Sequence, residues 1–326
     1  MSDSEPTEAG AGLTGSRCGY VALVGRPNAG KSTLFNAFLG QRLSIVTARP
    51  QTTRDRILGV LTTGAAQLIF LDTPGLLEPS YKLHETMGHQ IERAAADADA
   101  VLLLIDGTLP WDRRQLVDGF LQRVQRPLVA VLNKIDALPP ERAAPLAAQV
   151  TEAYGLGSVL PVSALRGDGV QDALARLVGL LPPGPHLYPE DIIAEQPERF
   201  FVAELIREAA FQQLTDELPY AINVTVDEFT DPHGVGDDQQ DEPPDERRRG
   251  SRRGPKTYVG ATIYVERDSQ KGIVIGRKGS RLRSIGQEAR QRIEGLLERP
   301  VYLELWVKVR PDWRDRDRDL QEFGYL

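Results

Sequence analysis

Gly25-Arg26-Pro27-Asn28-Ala29-Gly30-Lys31-Ser32 is the stretch on which the fold turns. A short apolar run, Tyr20–Val24, precedes it, and a helix-like segment, Thr33–Leu39, follows. Strand, glycine-rich loop and helix in that order gather backbone N–H groups and a helix N-terminus around one point, an arrangement suited to phosphate oxygens. Asn28, Ala29, Gly30, Lys31, Ser32 and Thr33 are therefore the candidate phosphate-binding residues. Lys31 reaches β- and γ-phosphates, and the Ser32 hydroxyl ligates Mg²⁺.

Further apolar runs lie downstream at Leu68–Leu71, Val101–Ile105, Leu128–Leu132 and Val159–Val162. Each is brief and rich in Leu or β-branched residues, as in strands covered on both faces. Their alternation with helix-like segments predicts an α/β fold: a doubly wound, mostly parallel sheet over residues 18–181. Three of the runs end on polar motifs. Asp72-Thr73-Pro74-Gly75 offers a carboxylate for Mg²⁺ and, at Gly75, an N–H that can sense the γ-phosphate. Asn133-Lys134-Ile135-Asp136 selects the base. The Asp136 carboxylate can accept from guanine N1–H and the 2-amino group, donors that adenine lacks. Lys134 lies along the base, and Ser163-Ala164 supplies an N–H to guanine O6. The expected ligands are GTP and GDP.

Between the first helix and Asp72 lies Gln51-Thr52-Thr53-Arg54-Asp55, where a nucleotide-sensing switch belongs. Thr53 is the expected Mg²⁺ ligand there, with Thr52 as the alternative. Leu76 and Leu77 occupy the place where many GTPases carry a water-orienting glutamine, so one usual catalytic part is missing.

The 326 residues suit two domains. Five prolines fall at 182, 183, 185, 189 and 197, so 182–199 is read as a linker. Beyond it, Phe200–Leu214 and Lys278–Leu297 read as helices, and Tyr220–Phe229, Thr257–Val265 and Val301–Val309 as strands. Residues 200–326 thus form a second, smaller α+β domain. Its Gly276-Arg277-Lys278-Gly279 turn opens a helix, as in KH domains, where such a loop lets an RNA backbone approach closely. Arg267, Lys271, Arg277, Lys278, Arg281, Arg283, Arg290 and Arg292 surround it, opposed only by Asp268 and Glu288. Gly276, Arg277, Lys278, Gly279, Arg281 and Arg283 are the candidate RNA-binding residues. A protein-docking role for this domain is the competing reading.

The net charge of −7 excludes a wholly basic nucleic-acid binder and confines any such site to a local patch. The single cysteine, Cys18, precludes an internal disulfide and fits a reducing cytosol. Residues 1–17 lack an apolar core and are read as a disordered tail rather than a signal peptide. Residues 231–256 have almost no aliphatic side chains, begin acidic and end basic, and are read as a disordered insertion.

From Tyr20 onward the sequence closely resembles the bacterial Era GTPases. The resemblance rests on Gly25–Ser32, Pro50–Arg54, Asp72–Gly75, Asn133–Asp136, Leu218-Pro219-Tyr220, Val274–Gly279 and Leu303–Val309. It implies a P-loop GTPase domain joined to a type II KH domain. It further implies a GTP/GDP switch that binds the 3′ end of 16S rRNA and acts in small ribosomal subunit maturation, with no role for DNA. Family members are cytoplasmic and can attach peripherally to the inner membrane. Proteins with a similar Gly-Arg-Pro-Asn loop include GTPases that use K⁺ near the phosphates, and that resemblance makes Asn28 a candidate K⁺ ligand; bracing of the loop is the alternative. The longer, more charged segment 231–256 departs from the family's pattern.

Overall fold

The computed structural model describes residues 16–47, 49, 51–64, 66–109, 115–231 and 256–326. Nearly all of the expected N-terminal tail, Pro50 and all but the ends of the insertion 231–256 lie outside the described residues. The chain divides into two compact units: Met1–Ser44 with Asp55–Glu78 and Gly88–Glu195, and Ile45–Arg54 with Pro79–Met87 and Gln196–Leu326.

The first unit is built on six strands: β1 (Arg17–Gly25), β2 (Ile57–Thr62), β3 (Ala66–Asp72), β4 (Ala100–Asp106), β5 (Leu128–Asn133) and β6 (Val159–Pro161). Their order is β2-β3-β1-β4-β5-β6. Only β2 runs antiparallel, paired with β3. Helices α1 (Lys31–Leu39), α2 (Lys82–Asp97, in this unit from Gly88 onward), α3 (Gln115–Leu121), α4 (Pro140–Tyr154) and α5 (Val170–Leu180) follow the strands. Because β1 lies between β3 and β4, the strand order reverses there, and the crevice beyond its carboxyl end is where such sheets take ligands. Every residue of β3 is buried, which explains its unbroken apolar run.

Two departures from the sequence reading concern this unit. Strand β2 is an addition to the expected set. Gly59 interrupts its apolar pattern, and any side chain there would run into the Phe35 ring, at 2.6 Å, and Leu39. Residues 182–195, read as part of a linker, belong to the first unit. Cys18 N–H donates to the Pro182 carbonyl at 3.2 Å, and Val60 N–H donates to the Ile193 carbonyl at 2.8 Å. The prolines stop this segment from forming a regular strand but leave its carbonyls able to accept.

The second unit carries α6 (Glu198–Gln213), α7 (Leu218–Ala221), β7 (Asn223–Thr230), β8 (Thr257–Val265), α8 (Asp268–Ile275), α9 (Ser280–Leu297), β9 (Val301–Val309) and α10 (Asp317–Glu322). Strand β8 is central, antiparallel to β7 and parallel to β9. Val202, Ile206, Val259, Ile263, Ile285 and Ile293 join α6, α9 and the sheet in one core. The expected strand start at Tyr220 is corrected, because Leu218–Ala221 is a short helix with its proline in the first turn, where a missing N–H costs nothing. Helix α8 is a second addition, since Gly272 and the β-branched run Ile273–Ile275 mask its period.

Segment 45–54, with the expected switch residue Thr53, is part of this second unit. Arg54 is buried and donates to the carbonyls of Ile222 at 2.6 Å and Tyr220 at 3.0 Å. Arg207 donates to the Thr52 carbonyl and pairs with Glu204. Thr53 itself is buried.

Candidate functional site

The first unit's site begins where β1 ends. Asn28 and Gly30 both take left-handed backbone angles, φ 63° and 94°, which turn the loop so that α1 starts at Lys31. Gly30 is required twice over: its φ disfavours any side chain, and a Cβ there would lie 2.2 Å from Asn133 Nδ2. The Lys31 ammonium lies within the loop, donating to the carbonyls of Gly25 and Arg26 at 3.1 Å each. Burial pushes this ammonium down to about 8, against the opposing pull of the Asp72 carboxylate. An arriving phosphate would favour its charged form further, so the lysine is poised for an anion.

Asp72, at the end of β3, is fully buried and accepts from Ser44 Oγ at 2.7 Å. The next residues are tied to the phosphate loop. Thr73 Oγ1 donates to the Leu23 carbonyl at 2.6 Å, and Leu76 N–H donates to the Gly25 carbonyl at 3.0 Å. Gly75 lies flush against the loop, since a Cβ would come within 2.6 Å of the Pro27 nitrogen. That contact brings the proposed γ-phosphate sensor beside the phosphate cradle. Ser32 stands in the first turn of α1, so hard oxygen donors from Ser32 and Asp72 suit Mg²⁺.

Two loops after β5 and β6 complete the constellation. Lys134, at φ 67°, turns the chain, and its ammonium pairs with Asp106 at 2.7 Å. Thr108 holds the other Asp106 oxygen through its N–H and hydroxyl, at 2.9 and 2.6 Å. The Asp136 carboxylate accepts from Ser163 Oγ at 2.6 Å. Ala164 is buried, and its N–H is engaged by Asn133 Oδ1 at 2.9 Å. Asn133 also donates from Nδ2 to the Ala29 carbonyl at 2.8 Å. One buried amide thus joins the phosphate loop, the Asn133–Asp136 motif and the Ser163-Ala164 loop. The sequence reading groups Asn133 and Ala164 with the guanine contacts; here their polar groups brace the loops. It misses Asp106 and Ser44 altogether. Asp106 has a signal, a carboxylate closing a buried apolar run, whereas Ser44 has none.

The second unit holds a different kind of site. Gly276 (φ 70°) and Gly279 (φ 75°) both need glycine, and between them Lys278 is left-handed at φ 52°. The turn therefore presents Arg277 and Lys278 outward, both exposed. Beside it runs a groove of about 530 Å³, lined by Gly279 of the turn, by Leu282, Arg283 and Gly286 of α9 and by Leu303, Glu304 and Leu305 of β9. Not every nearby cation faces it. Arg281 donates back to the Ile273 carbonyl at 3.1 Å, and Arg292 pairs with Glu208 at 2.8 Å and with Glu288. Arg292 therefore serves the fold, and the local cationic excess is smaller than the sequence count.

Comparison with known proteins bears on both sites. A family model described as "50S ribosome-binding GTPase" matches residues 20–134, and a KH domain model matches residues 253–314. GTPase Era of Geobacter sp. (strain M21) is 41% identical over 310 residues, covering 95% of this chain and 98% of that protein. GTPase Era of Staphylococcus haemolyticus is 39% identical, covering 96% and 99%. A solved Era in complex with MgGDPNP and nucleotides 1506–1542 of 16S ribosomal RNA is 38% identical, with a TM-score of 0.85, covering 95% of this chain and 99% of that one. An Aquifex aeolicus Era variant bound to GDP and AlF₄⁻ matches equally well, at 38% identity and TM-score 0.85.

Proposed function

Since the chain belongs to the Era family of GTPases, we propose that it is a GTP/GDP switch that binds the 3′ end of 16S rRNA and acts in maturation of the small ribosomal subunit. The observation that carries this reading is the pairing, in one chain, of two sites. One is the phosphate loop braced by Asn133 to the Asp136 motif, and the other is the Gly276–Gly279 turn beside its groove. In the first, the loop N–H groups, Lys31 and Thr33 hold the phosphates. Asp136, Lys134 and the Ser163-Ala164 loop hold guanine. Ser32 and Asp72 would hold Mg²⁺, which would neutralise charge on the β- and γ-phosphate oxygens; Thr53, expected as a further ligand, belongs to the second unit. Gly75 reports the γ-phosphate by its N–H. The Leu76 side chain is buried and carries no polar atom to orient a water, so hydrolysis draws on electrostatic stabilisation instead.

Asn28 is the residue we assign to K⁺, a second cation that would supply part of that stabilisation. GTP turnover several-fold faster in potassium than in sodium buffer is the expected result; equal rates would remove the ion and leave Asn28 as a brace.

In the second site, Arg277 and Lys278 take phosphates while the glycines admit the RNA backbone. The test is binding of a 16S rRNA 3′-end oligonucleotide to the full chain and to the double variant Arg277→Asp with Lys278→Asp. We expect the variant to lose RNA binding by more than about tenfold and its salt slope to flatten by about two charges. GTP binding should remain as it was. Retained RNA affinity would return this unit to the protein-docking reading. No helix among the described residues is long and apolar enough to cross a membrane. Cytoplasmic residence accords with the rRNA reading, and peripheral membrane attachment is carried by the family resemblance alone.

A further inference from the structure

Successive residues of a strand point to opposite faces of its sheet. In the second unit, Val259, Ala261 and Ile263 of β8 and Leu303, Leu305 and Val307 of β9 pack toward the core shared with α6 and α9. Tyr258, Gly260, Tyr302, Glu304 and Trp306 therefore lie on the outer face. A sheet face left to water is ordinarily polar. Here Tyr302 is 55% exposed and Trp306 40%.

The outer side chains form one layer. Tyr258 and Tyr302 are paired in register, and their rings stack at 5.9 Å between centroids and 18° between planes. The Tyr258 hydroxyl donates to the Glu304 carboxylate at 2.8 Å, which anchors that carboxylate between Tyr302 and Trp306 along β9. Trp306 reaches over β8: a Cβ added to Gly260 would lie 3.2 Å from its Cζ3 and 3.4 Å from the Tyr258 ring. Gly260 does not have the left-handed backbone that would require glycine. Its missing side chain instead leaves room for the indole.

Carboxylates bracket these rings. Glu228 of β7 stands opposite Gly260, and Asp227 beside it accepts from the Thr225 and Thr262 hydroxyls at 2.7 and 2.5 Å. Across the three strands, Lys308 is the only cation against Asp227, Glu228 and Glu304. Such a face repels a phosphate chain. It suits a guanidinium, which is flat and weakly hydrated, stacks on an aromatic ring and can pair with a carboxylate through two parallel N–H groups. A lysine ammonium is more strongly hydrated and lacks that planar fork.

We propose that the outer face of the β7–β8–β9 sheet docks an arginine-bearing segment of a basic partner protein, its guanidinium groups stacking on Tyr302 and Trp306 and pairing with Glu304 between them. The proposal goes beyond the GTP and rRNA readings and depends on neither. The face lies on the other side of the sheet from α9, so an RNA at the Gly276–Gly279 turn leaves it open.

The test titrates the full chain into two fluorescently labelled peptides of equal length and charge, one alternating arginine with glycine and the other lysine with glycine. The arginine peptide should bind more tightly. Tyr302→Leu and Trp306→Leu should each weaken it by roughly 2- to 30-fold, the range for one cation–π contact. Both should also narrow its lead over the lysine peptide. Glu304→Gln keeps an oxygen for the Tyr258 hydroxyl and removes the charge, so it should weaken both peptides and flatten their salt dependence. Tyr302 is the more exposed ring, so Tyr302→Leu still decides the matter if Trp306→Leu, which uncovers Gly260, fails to fold.

Equal binding of the two peptides, untouched by either ring substitution, would reduce the interaction to the chain's net charge of −7 and overturn the proposal. Retained peptide binding with loss of a 16S rRNA 3′-end oligonucleotide in Tyr302→Leu would overturn it by giving the rings to bases. A dimer of the unaltered chain that Tyr302→Leu dissociates in sedimentation would overturn it by giving the face to a second copy.

Discussion

Asp136→Asn should cost the protein its guanine nucleotide while leaving its fold intact. In the proposed site the carboxylate would accept from two guanine donors, whereas an amide in its place would accept from one and set its own N–H₂ against the other. Hydrogen bonds to a charged group contribute about 1.5–3 kcal/mol each, so GTP affinity should drop by roughly 100-fold or more. Xanthine carries a carbonyl where guanine has the amino group, and the new amide can donate to it. The variant should therefore prefer xanthine nucleotides in a displacement assay. Within the protein the change is mild, because the partner at that carboxylate, Ser163 Oγ at 2.6 Å, can donate equally well to an amide oxygen. An unaltered preference for GTP would remove Asp136 from the base-binding role.

Asn133→Asp should be broader in its effect. The side chain is almost the same size, but it can no longer donate to the Ala29 carbonyl, now 2.8 Å from Nδ2. Two oxygens would face each other in a buried site, beside the backbone that carries Gly30. Leaving buried polar groups unsatisfied costs about 1–3 kcal/mol each, more when one is charged, so urea unfolding should show a loss of about 3 kcal/mol. Guanine and xanthine nucleotides should weaken alike, because the damage falls on the phosphate loop rather than on base choice. A variant as stable as the parent, with altered base preference only, would contradict the bracing role.

The contrast between these two residues shows how far the sequence could be read. Asp136 and Asn133 lie three apart in one motif, and the motif was legible because it closes a buried apolar run. Five such runs, four of them largely buried strands and the fifth a short edge strand, announced the parallel sheet, and the polar ends of three marked the crevice. The second unit was legible as helices and strands of the right order with a Gly-x-x-Gly turn. Strand β2 escaped because Gly59 is there to clear the Phe35 ring, a requirement that exists only once α1 has packed. Helix α8 escaped because Gly272 and its three β-branched neighbours, Ile273, Val274 and Ile275, carry little helical preference of their own.

By itself the sequence determined the chemistry. Glycines at positions of left-handed backbone, a lysine and serine after them, and a carboxylate suited to guanine are local choices, each written within a few neighbouring residues. Tertiary structure alone decided which of these side chains are braces. The Asn133–Ala29 bond spans 104 positions, and Arg54 reaches the Ile222 carbonyl across 168. It also decided that Gln51–Arg54, most of the stretch read as a switch between the first helix and the Asp72 strand, joins the compact body of the second unit. The physical reason is common to both. Bonds from side chains to backbone carbonyls depend on where the chain passes rather than on which residue supplies the carbonyl, so they leave no pattern in the sequence.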